Sequence, residues 1–243
     1  MTLHPAIPLD GEHAPLALTF DCYGTLIDWE SGICRAFEPV LAAAGITPDP
    51  ATLISRYAAH EREIEAGPYL SYRHVLTAVE ARLLNEFLPA GAPRPASGFL
   101  ASSLSEWPAF DETPPCLRAL QSRFRIGVLS NIDDDLFAAT APKLGITLDL
   151  LVTAGQVRSY KPAEPHFRAA LDRLGIPPRR ILHVAESRYH DVESAGTLGF
   201  RTCWVNRHSG TAPSASGPAD TGRSPDLTVT SLRALVEVLG TPT

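Results

Sequence analysis

The chain has 243 residues, of which 44% are hydrophobic and 20% charged, and its formal net charge is −6. This length and composition are typical of a globular protein with one large or two modest domains. The scattered basic residues provide no footprint for nucleic acid or an anionic membrane, and no apolar run is long enough to span a bilayer. We therefore expect a cytoplasmic protein with a small-molecule partner, and neither a nucleic-acid partner nor a membrane partner.

The first part of the chain is predicted to contain one strand and then only helices. Residues 1–14 have the composition of a disordered leader. The apolar run over residues 16–20 predicts a buried strand that ends at Asp21 and turns at Gly24. Residues 30–110 show helical spacing and no convincing strand, which predicts an inserted all-helical domain.

The rest of the chain alternates between strand and helix patterns. Apolar runs predict further strands at 126–129, 148–153, 181–184, 202–205 and 227–230. Helical patterns separate these runs, which indicates βαβ units and a parallel sheet. Residues 15–29 and 111–243 are therefore predicted to form a three-layer, Rossmann-like α/β core, in which residues 208–225 form a mobile loop rich in Ser, Gly and Pro.

Polar residues follow several of these strands, and the carboxyl ends of parallel strands meet at one edge of a sheet. Each of them alone has an ordinary explanation as a cap, a turn residue or a solvated side chain. Together they offer carboxylates that can hold Mg²⁺ or orient water, a hydroxyl and an amide that can bind an anion, and a lysine. In chain order they are Asp21, Ser130, Asn131, Lys161, Glu186 and Asp191.

This order of residues resembles the motifs of the haloacid dehalogenase (HAD) superfamily. Four segments carry the resemblance: residues 21–26 (DCYGTL), Ser130-Asn131, Lys161-Pro162 and residues 186–191. The helical block lies where that family inserts its cap domain. The resemblance implies a hydrolase in which Asp21 is the nucleophile, Thr25 and Ser130 help to bind carboxylate oxygens, Lys161 balances the charge of Asp21 and Asp191 helps to place or activate water. The candidate catalytic set is Asp21, Thr25, Ser130, Asn131, Lys161 and Asp191.

The residue two places after Asp21 narrows the expected chemistry. HAD phosphatases carry a second aspartate there to protonate the leaving alcohol, whereas Tyr23 is a phenol with an ordinary pKa of about 10. A halide leaving group needs no proton. The segment resembles the L-2-haloacid dehalogenase branch, which implies an (S)-2-haloacid dehalogenase type of enzyme that acts on a small 2-haloalkanoic acid without a cofactor. The candidate substrate-binding residues are Cys22, Tyr23, Arg56, Arg188 and His190.

Two assignments within this set have competitors. Arg56 lies at about the position of a cap arginine that contacts the leaving halide in that branch, and Arg62 and Arg73 compete with it. Cys22 lies beside Asp21, where a small buried thiol is an alternative to a reactive one.

The fourth motif departs from the dehalogenase branch and leaves the metal question open. By resemblance, that branch has Ser, Asn and Trp at the positions of Glu186, Arg188 and His190, and Tyr at the position of Phe167. Glu186 restores an acid, so that Asp21, the backbone carbonyl of Tyr23 and Glu186 or Asp191 form a candidate Mg²⁺ site. Alternatively, Arg188 pairs with Glu186 and the site is metal-free. A Mg²⁺-dependent phosphatase or other HAD hydrolase, and a non-catalytic HAD-fold binding protein, are therefore the alternative functions. Family resemblance also suggests a homodimer.

Overall fold

The computed structural model describes residue 7, residues 11–12, residues 14–207 and residues 223–241. The other residues of the predicted leader, and residues 208–222 of the predicted mobile loop, lie outside the described residues. Within the leader, Ile7 is 5% exposed and packs in the hydrophobic core. The prediction of disorder throughout residues 1–14 is therefore wrong at this position, because an apolar side chain there finds a buried site.

The centre of the protein is a six-stranded sheet with the order β3-β2-β1-β4-β5-β6. Each neighbouring pair of strands is parallel. The first strand therefore lies between the second and the fourth, in the middle of the sheet. The strands are β1 (Ala17–Phe20), β2 (Arg125–Ser130), β3 (Leu150–Thr153), β4 (Ile181–Ala185), β5 (Arg201–Val205) and β6 (Leu227–Val229).

Helices cover both faces of the sheet. After β1 come four helices, α1 (Trp29–Ala42), α2 (Pro50–Glu65), α3 (Tyr72–Phe87) and α4 (Phe99–Ser103). The later helices are α5 (Thr113–Gln121), α6 (Asp134–Thr140), α7 (Ala154–Val157), α8 (Pro165–Leu174), α9 (Glu193–Thr197) and α10 (Leu232–Val238). Single helical turns occupy Leu104–Glu106, Ala141–Leu144, Pro178–Arg180 and Arg188–Val192.

Alternation of side chains along the strands divides the interior into two hydrophobic clusters. Ala17 of β1 packs with apolar residues of α8, whereas Leu18 packs on the other face with residues of α5 and α10. Period-two alternation produces this division because successive side chains of a strand point to opposite faces. The arrangement confirms the predicted three-layer α/β class with an inserted helical cap.

The helices α1 to α4 form most of the cap. Specific contacts join these helices to neighbouring parts of the protein. The carboxylate of Asp133, in the loop before α6, accepts hydrogen bonds from the first two amides of α3, at 3.0 Å from Tyr72 N and 2.9 Å from Arg73 N. In α1, a Cβ on Gly32 would lie only 2.3 Å from Cγ of Trp107, so glycine is needed for this close packing. None of the helices in the described part of the chain has the length and apolar character needed to cross a membrane.

Candidate active site

Asp21 lies immediately after β1, at the carboxyl end of the central strand, and is 8% exposed. Its two carboxylate oxygens have different donors. Oδ2 accepts a hydrogen bond from Thr25 Oγ1 at 2.8 Å, and Oδ1 accepts one from Lys161 Nζ at 2.9 Å. Burial raises the pKa of Asp21 and the charge of Asp191 adds to this rise, whereas Lys161 and Thr25 oppose it. The carboxylate is thereby fixed in orientation at the edge of the sheet.

Lys161, one of the two lysines in the chain, lies between two carboxylates. Its ammonium group donates to Asp21 Oδ1, to Asp191 Oδ1 at 2.6 Å and to the carbonyl oxygen of Leu129 at 2.9 Å. Burial would lower the pKa of Lys161, but the charges of Asp191 and Asp21 outweigh it and raise this pKa above its usual value. All three ammonium protons therefore have acceptors, as a buried cation requires.

Asp191 is fully buried and lies in the helical turn after β4. Its Oδ1 also accepts a hydrogen bond from His183 Nε2 at 2.9 Å. Burial opposes ionisation, but Lys161 and the His183 hydrogen bond lower the pKa of Asp191 below its usual range. Oδ2 of Asp191 is buried and has no hydrogen-bond partner among the described residues.

Ser130 and Asn131, at the end of β2, have different contacts. The Asn131 side-chain amide donates to the carbonyl oxygen of Lys161 at 3.1 Å, and its oxygen accepts from the Lys161 amide at 2.7 Å. Asn131 therefore holds the backbone of Lys161, although it also lies on the cavity wall. The Ser130 hydroxyl is buried, lies on the same wall and has no hydrogen-bond partner among the described residues.

Thr25 binds a carboxylate oxygen of the protein itself, that of Asp21. Its hydroxyl donates to Asp21 and accepts a hydrogen bond from the Glu186 amide at 2.9 Å, and its side chain is fully buried. Both hydrogen-bonding directions of the hydroxyl are thereby used within the protein. The hydroxyl of Thr25 therefore helps to orient the Asp21 carboxylate.

The residues next to Asp21 are not positioned as proton donors or second nucleophiles. The Tyr23 hydroxyl lies 2.8 Å from Thr140 Oγ1, and burial raises the pKa of Tyr23 well above its usual value. Cys22 is fully buried, and burial together with the charge of Asp21 raises the pKa of its thiol. Tyr23 lines the cavity, whereas Cys22 packs in the hydrophobic core.

A cavity of about 80 Å³ lies above these groups, between the sheet edge and the cap. Such a volume is several times the minimum that one water molecule requires, and hence offers room for a small ligand. Its core wall consists of Asp21, Tyr23, Ser130, Asn131, Lys161, Ser187, His190 and Asp191. Its cap wall, together with the flanking aromatic residues, consists of Trp29, Ala58, Glu61, Arg62, Glu65, Tyr72 and Trp107.

The cap arginine on this wall is Arg62, and the prediction of Arg56 is corrected. The Arg56 guanidinium is 47% exposed and pairs with Glu86 at 2.5 Å, outside the residues that line the cavity. Arg73 pairs with Asp135 instead. Arg56 and Arg62 lie on one helix but six residues apart, so their side chains point to faces about 120° apart.

The fourth motif is divided between two places. His190 lies on the cavity wall, and burial lowers its pKa to about 4, so its imidazole is neutral at neutral pH. Glu186 instead lines a neighbouring cleft beside Gly24 and Arg207. The guanidinium of Arg188 lies over the Trp204 ring, 5.3 Å from its centroid, and donates to the carbonyl oxygen of Arg223.

This arrangement does not fit the candidate Mg²⁺ site. The ammonium group of Lys161 lies between Asp21 and Asp191, and Glu186 does not share their cavity. Among the described residues, no three His, Cys, Asp or Glu side chains form a group suited to a metal ion. The prediction that Asp21, Glu186 and Asp191 act together as ligands is therefore not supported by the positions of these side chains.

Sequence reasoning missed the acidic residues of the cap wall. Glu61 accepts hydrogen bonds from Tyr57 and Tyr72 at 2.8 and 2.6 Å, and burial raises the pKa of Glu61. Burial and the Glu61 charge raise the pKa of Glu65 more strongly. The signal was present in the spacing, because Ala58, Glu61, Arg62 and Glu65 follow the i, i+3, i+4, i+7 pattern of one helix face.

Comparisons with known proteins agree with this geometry. Residues 16–199 match the family model described as haloacid dehalogenase-like hydrolase. An (S)-2-haloacid dehalogenase from Pseudomonas sp. (strain YL) is 27% identical over 92% of this chain and 94% of its own length. A phosphoserine phosphatase from Thermus thermophilus is 29% identical, over 59% of this chain and 57% of its own.

A solved structure resembles the whole fold. The L-2-haloacid dehalogenase from Xanthobacter autotrophicus with chloropropionic acid covalently bound has a TM-score of 0.76 and 21% identity, and the match covers 93% of this chain and 98% of that one. The family match extends over most of the chain, including all four motifs from Asp21 to Asp191, and confirms the family expectation from the sequence. The chain therefore belongs to the haloacid dehalogenase-like hydrolase family.

Proposed function

We propose that this protein is a hydrolase that displaces halide from a small 2-haloalkanoic acid, with Asp21 as the nucleophile and an aspartyl ester as the intermediate. The proposal depends mainly on one observation, the set of groups that surround the Asp21 carboxylate. Its carboxylate is oriented by Thr25 and Lys161 at the base of a small cavity, and the residue two places on is Tyr23, whose hydroxyl is bonded to Thr140. A leaving halide needs no proton, so a high-pKa phenol at this position is compatible with the reaction.

Substrate binding would use polar groups on both walls of the cavity. The buried hydroxyl of Ser130 is available to the substrate carboxylate, because a buried donor without a partner is costly unless a ligand satisfies it. Arg62 would take the role predicted for Arg56, because its side chain lies on the cavity wall. It would stabilise the halide as negative charge develops on it.

The first step is a substitution at carbon 2 of the acid. A carboxylate oxygen of Asp21 forms a bond to that carbon, and the carbon–halogen bond breaks with its electron pair leaving on the halide. Lys161 remains protonated throughout, because two carboxylates and a carbonyl oxygen hold its three protons. The product of this step is an ester between Asp21 and the substrate.

The second step is hydrolysis of that ester. Water attacks the carboxyl carbon of Asp21, and Asp191 Oδ2, which has no partner among the described residues, accepts the water proton. That proton passes to the departing alkoxide, so that a 2-hydroxy acid leaves. The second proton of the water, left on the Asp21 carboxyl group, is released to solvent as the carboxylate is regenerated. The relative from Pseudomonas named as an (S)-2-haloacid dehalogenase and the Xanthobacter structure with chloropropionic acid covalently bound support this two-step route.

A second candidate function follows from the carboxyl groups of the cap wall. Hydrolysis of a substrate with an oxygen leaving group requires an acid, and Glu65 lines the cavity with a raised pKa. The partial match to a phosphatase also favours this candidate. In this second candidate function, the carboxyl group of Glu65 would donate a proton to the leaving oxygen from the cap side of the cavity.

The two candidates are separated by their leaving groups. We expect the purified protein to release chloride from (S)-2-chloropropionate and to form the corresponding 2-hydroxy acid, with no loss of rate in EDTA. Glu65→Gln should retain this activity. Phosphate release from phosphate esters, lost in EDTA or in Glu65→Gln and unaccompanied by chloride release from haloacids, would contradict the proposed function.

A further inference from the structure

His183 is a buried polar residue behind the active site that the two-step route does not by itself require. It lies within β4, is fully buried and is paired in register with Thr19 of β1. On one side its ring packs edge-on against Phe167, at 5.3 Å between centroids. An imidazole inside a parallel sheet is costly unless both ring nitrogens have hydrogen-bond partners.

Both nitrogens of His183 have such partners. Nδ1 lies 2.9 Å from Thr19 Oγ1, and Nε2 lies 2.9 Å from Asp191 Oδ1. An ionised carboxylate only accepts, so Nε2 carries a proton and donates. Nδ1 lies against the Thr19 hydroxyl, which can either donate or accept. Hydrogen bonds therefore connect Thr19 through His183 to Asp191.

The two carboxylate oxygens of Asp191 have different surroundings. Oδ1 receives donors from two sides, Lys161 Nζ at 2.6 Å and His183 Nε2 at 2.9 Å. Oδ2 receives none from the described residues, although Asp191 lines the cavity. Two donors at different angles restrict rotation of the Asp191 carboxylate about its Cβ–Cγ bond more than the hydrogen bond from Lys161 alone would.

We propose that His183, held by Thr19, is a positioning residue for the second half of the reaction: it fixes Asp191 so that Oδ2 accepts the proton of the hydrolytic water. This inference rests on the proposed function, because it concerns hydrolysis of the aspartyl ester. It assigns His183 no part in halide displacement, since that step involves Asp21 and the substrate and moves no proton.

The inference is tested by two pairs of matched variants. His183→Phe removes both ring nitrogens, whereas His183→Gln keeps a donor near the place of Nε2. Thr19→Val removes the hydroxyl and keeps the side-chain shape, whereas Thr19→Ser keeps the hydroxyl. Rapid mixing with (S)-2-chloropropionate, followed by chloride analysis and intact-protein mass spectrometry, separates the first step from the second. Thermal melting of each variant reports its folding.

We expect His183→Phe and Thr19→Val to keep a stoichiometric burst of chloride and to accumulate the ester adduct, while steady-state turnover falls about 10- to 100-fold, the usual effect of misplacing a reacting group. His183→Gln and Thr19→Ser should recover most of the turnover. If His183→Phe and Thr19→Val slow both steps equally, or accumulate no adduct, the role of His183 is overturned while the proposed function stands. If the wild-type protein itself releases no chloride, the proposed function fails and this role fails with it.

Discussion

The two walls of the cavity are built on different principles. On the core wall, Asp21, Asn131, Lys161 and Asp191 hold one another through short hydrogen bonds and ion pairs. On the cap wall, charged residues of one face of α2 stand among aromatic side chains. The residues of the core wall are placed by the ends of parallel strands, which meet at one edge of the sheet. The positions of the cap-wall residues depend instead on how helix α2 docks on the core. We infer that the core wall determines the reaction and that the cap wall determines which substrate reaches it.

The largest effect is expected at the centre of the core wall. Lys161→Met leaves the buried carboxylates of Asp21 and Asp191 without a cation, which should abolish turnover and lower the free energy of unfolding at neutral pH by about 3–5 kcal/mol. The loss should shrink as pH falls, because the pKa values of both carboxylates rise when the cation is gone and protonation removes their repulsion. Urea denaturation at neutral and mildly acidic pH measures this.

A matched control for Lys161 lies on α8. Arg168 pairs with Glu164 at 2.5 Å on the surface, where its side chain is 62% exposed. Arg168→Met should change the free energy of unfolding by less than about 1 kcal/mol, as for other exposed ion pairs. Equal effects of the two substitutions would contradict the central position given to Lys161.

A smaller effect is expected on the cap wall, where two arginines of α2 provide the comparison. Arg62→Ala should lower kcat/KM for a 2-haloacid about 10- to 100-fold, because it removes a cation from the wall that would meet the leaving halide. Arg56→Ala should leave kcat/KM unchanged, since its side chain pairs with Glu86 away from the cavity. Steady-state chloride release measures both, and a larger loss in Arg56→Ala would restore the interpretation from the sequence.

The smallest effect concerns Glu65 and depends on pH. Burial, together with the charge of Glu61, raises the pKa of Glu65, so this group is neutral at lower pH and becomes an anion as pH rises through its raised pKa. The anion would repel an anionic haloacid. We therefore expect wild-type kcat/KM to decline by about three- to tenfold as pH rises through the pKa of Glu65. Glu65→Gln should remove this decline.

The control for Glu65 is Glu63 on the same helix, which is 69% exposed and pairs with Arg82 at 3.0 Å. Glu63→Gln should show the wild-type pH profile. Complete loss of haloacid turnover in Glu65→Gln would mean that its carboxyl group acts as an acid in the reaction, contrary to its place in the proposed mechanism.

The fold and the core wall were accessible from the sequence because their signals are local. Apolar runs mark the strands, and the polar residue that follows each run is placed at the sheet edge by the parallel arrangement itself. The sequence alone therefore groups Asp21, Ser130, Lys161 and Asp191. Their individual contacts could not be predicted, since the hydrogen bonds of the Thr25 hydroxyl with both Asp21 and the Glu186 amide depend on the neighbouring strand.

The remaining assignments depended on directions that sequence spacing does not determine. Family resemblance favours Arg56 over Arg62 from its position along the chain, but the helix face that meets the cavity is set by the docking of α2. Glu186 follows β4 as predicted, yet its side chain lies in the neighbouring cleft. In the sequence, His183 is one more residue of a predicted buried strand. Only the positions of Thr19 and Asp191 show that both of its ring nitrogens have hydrogen-bond partners.

The covalent role of Asp21 is tested most directly by a single turnover in ¹⁸O-labelled water, with enzyme in excess over (S)-2-chloropropionate. The peptide that contains Asp21 is then isolated and its mass determined. The proposed mechanism predicts that ¹⁸O enters the Asp21 carboxylate, because water attacks its carboxyl carbon, and that the 2-hydroxy acid formed in this turnover carries no label. Label in the hydroxyl group of the product, with none in Asp21, would show direct attack of water on the substrate and would contradict the nucleophilic role of Asp21.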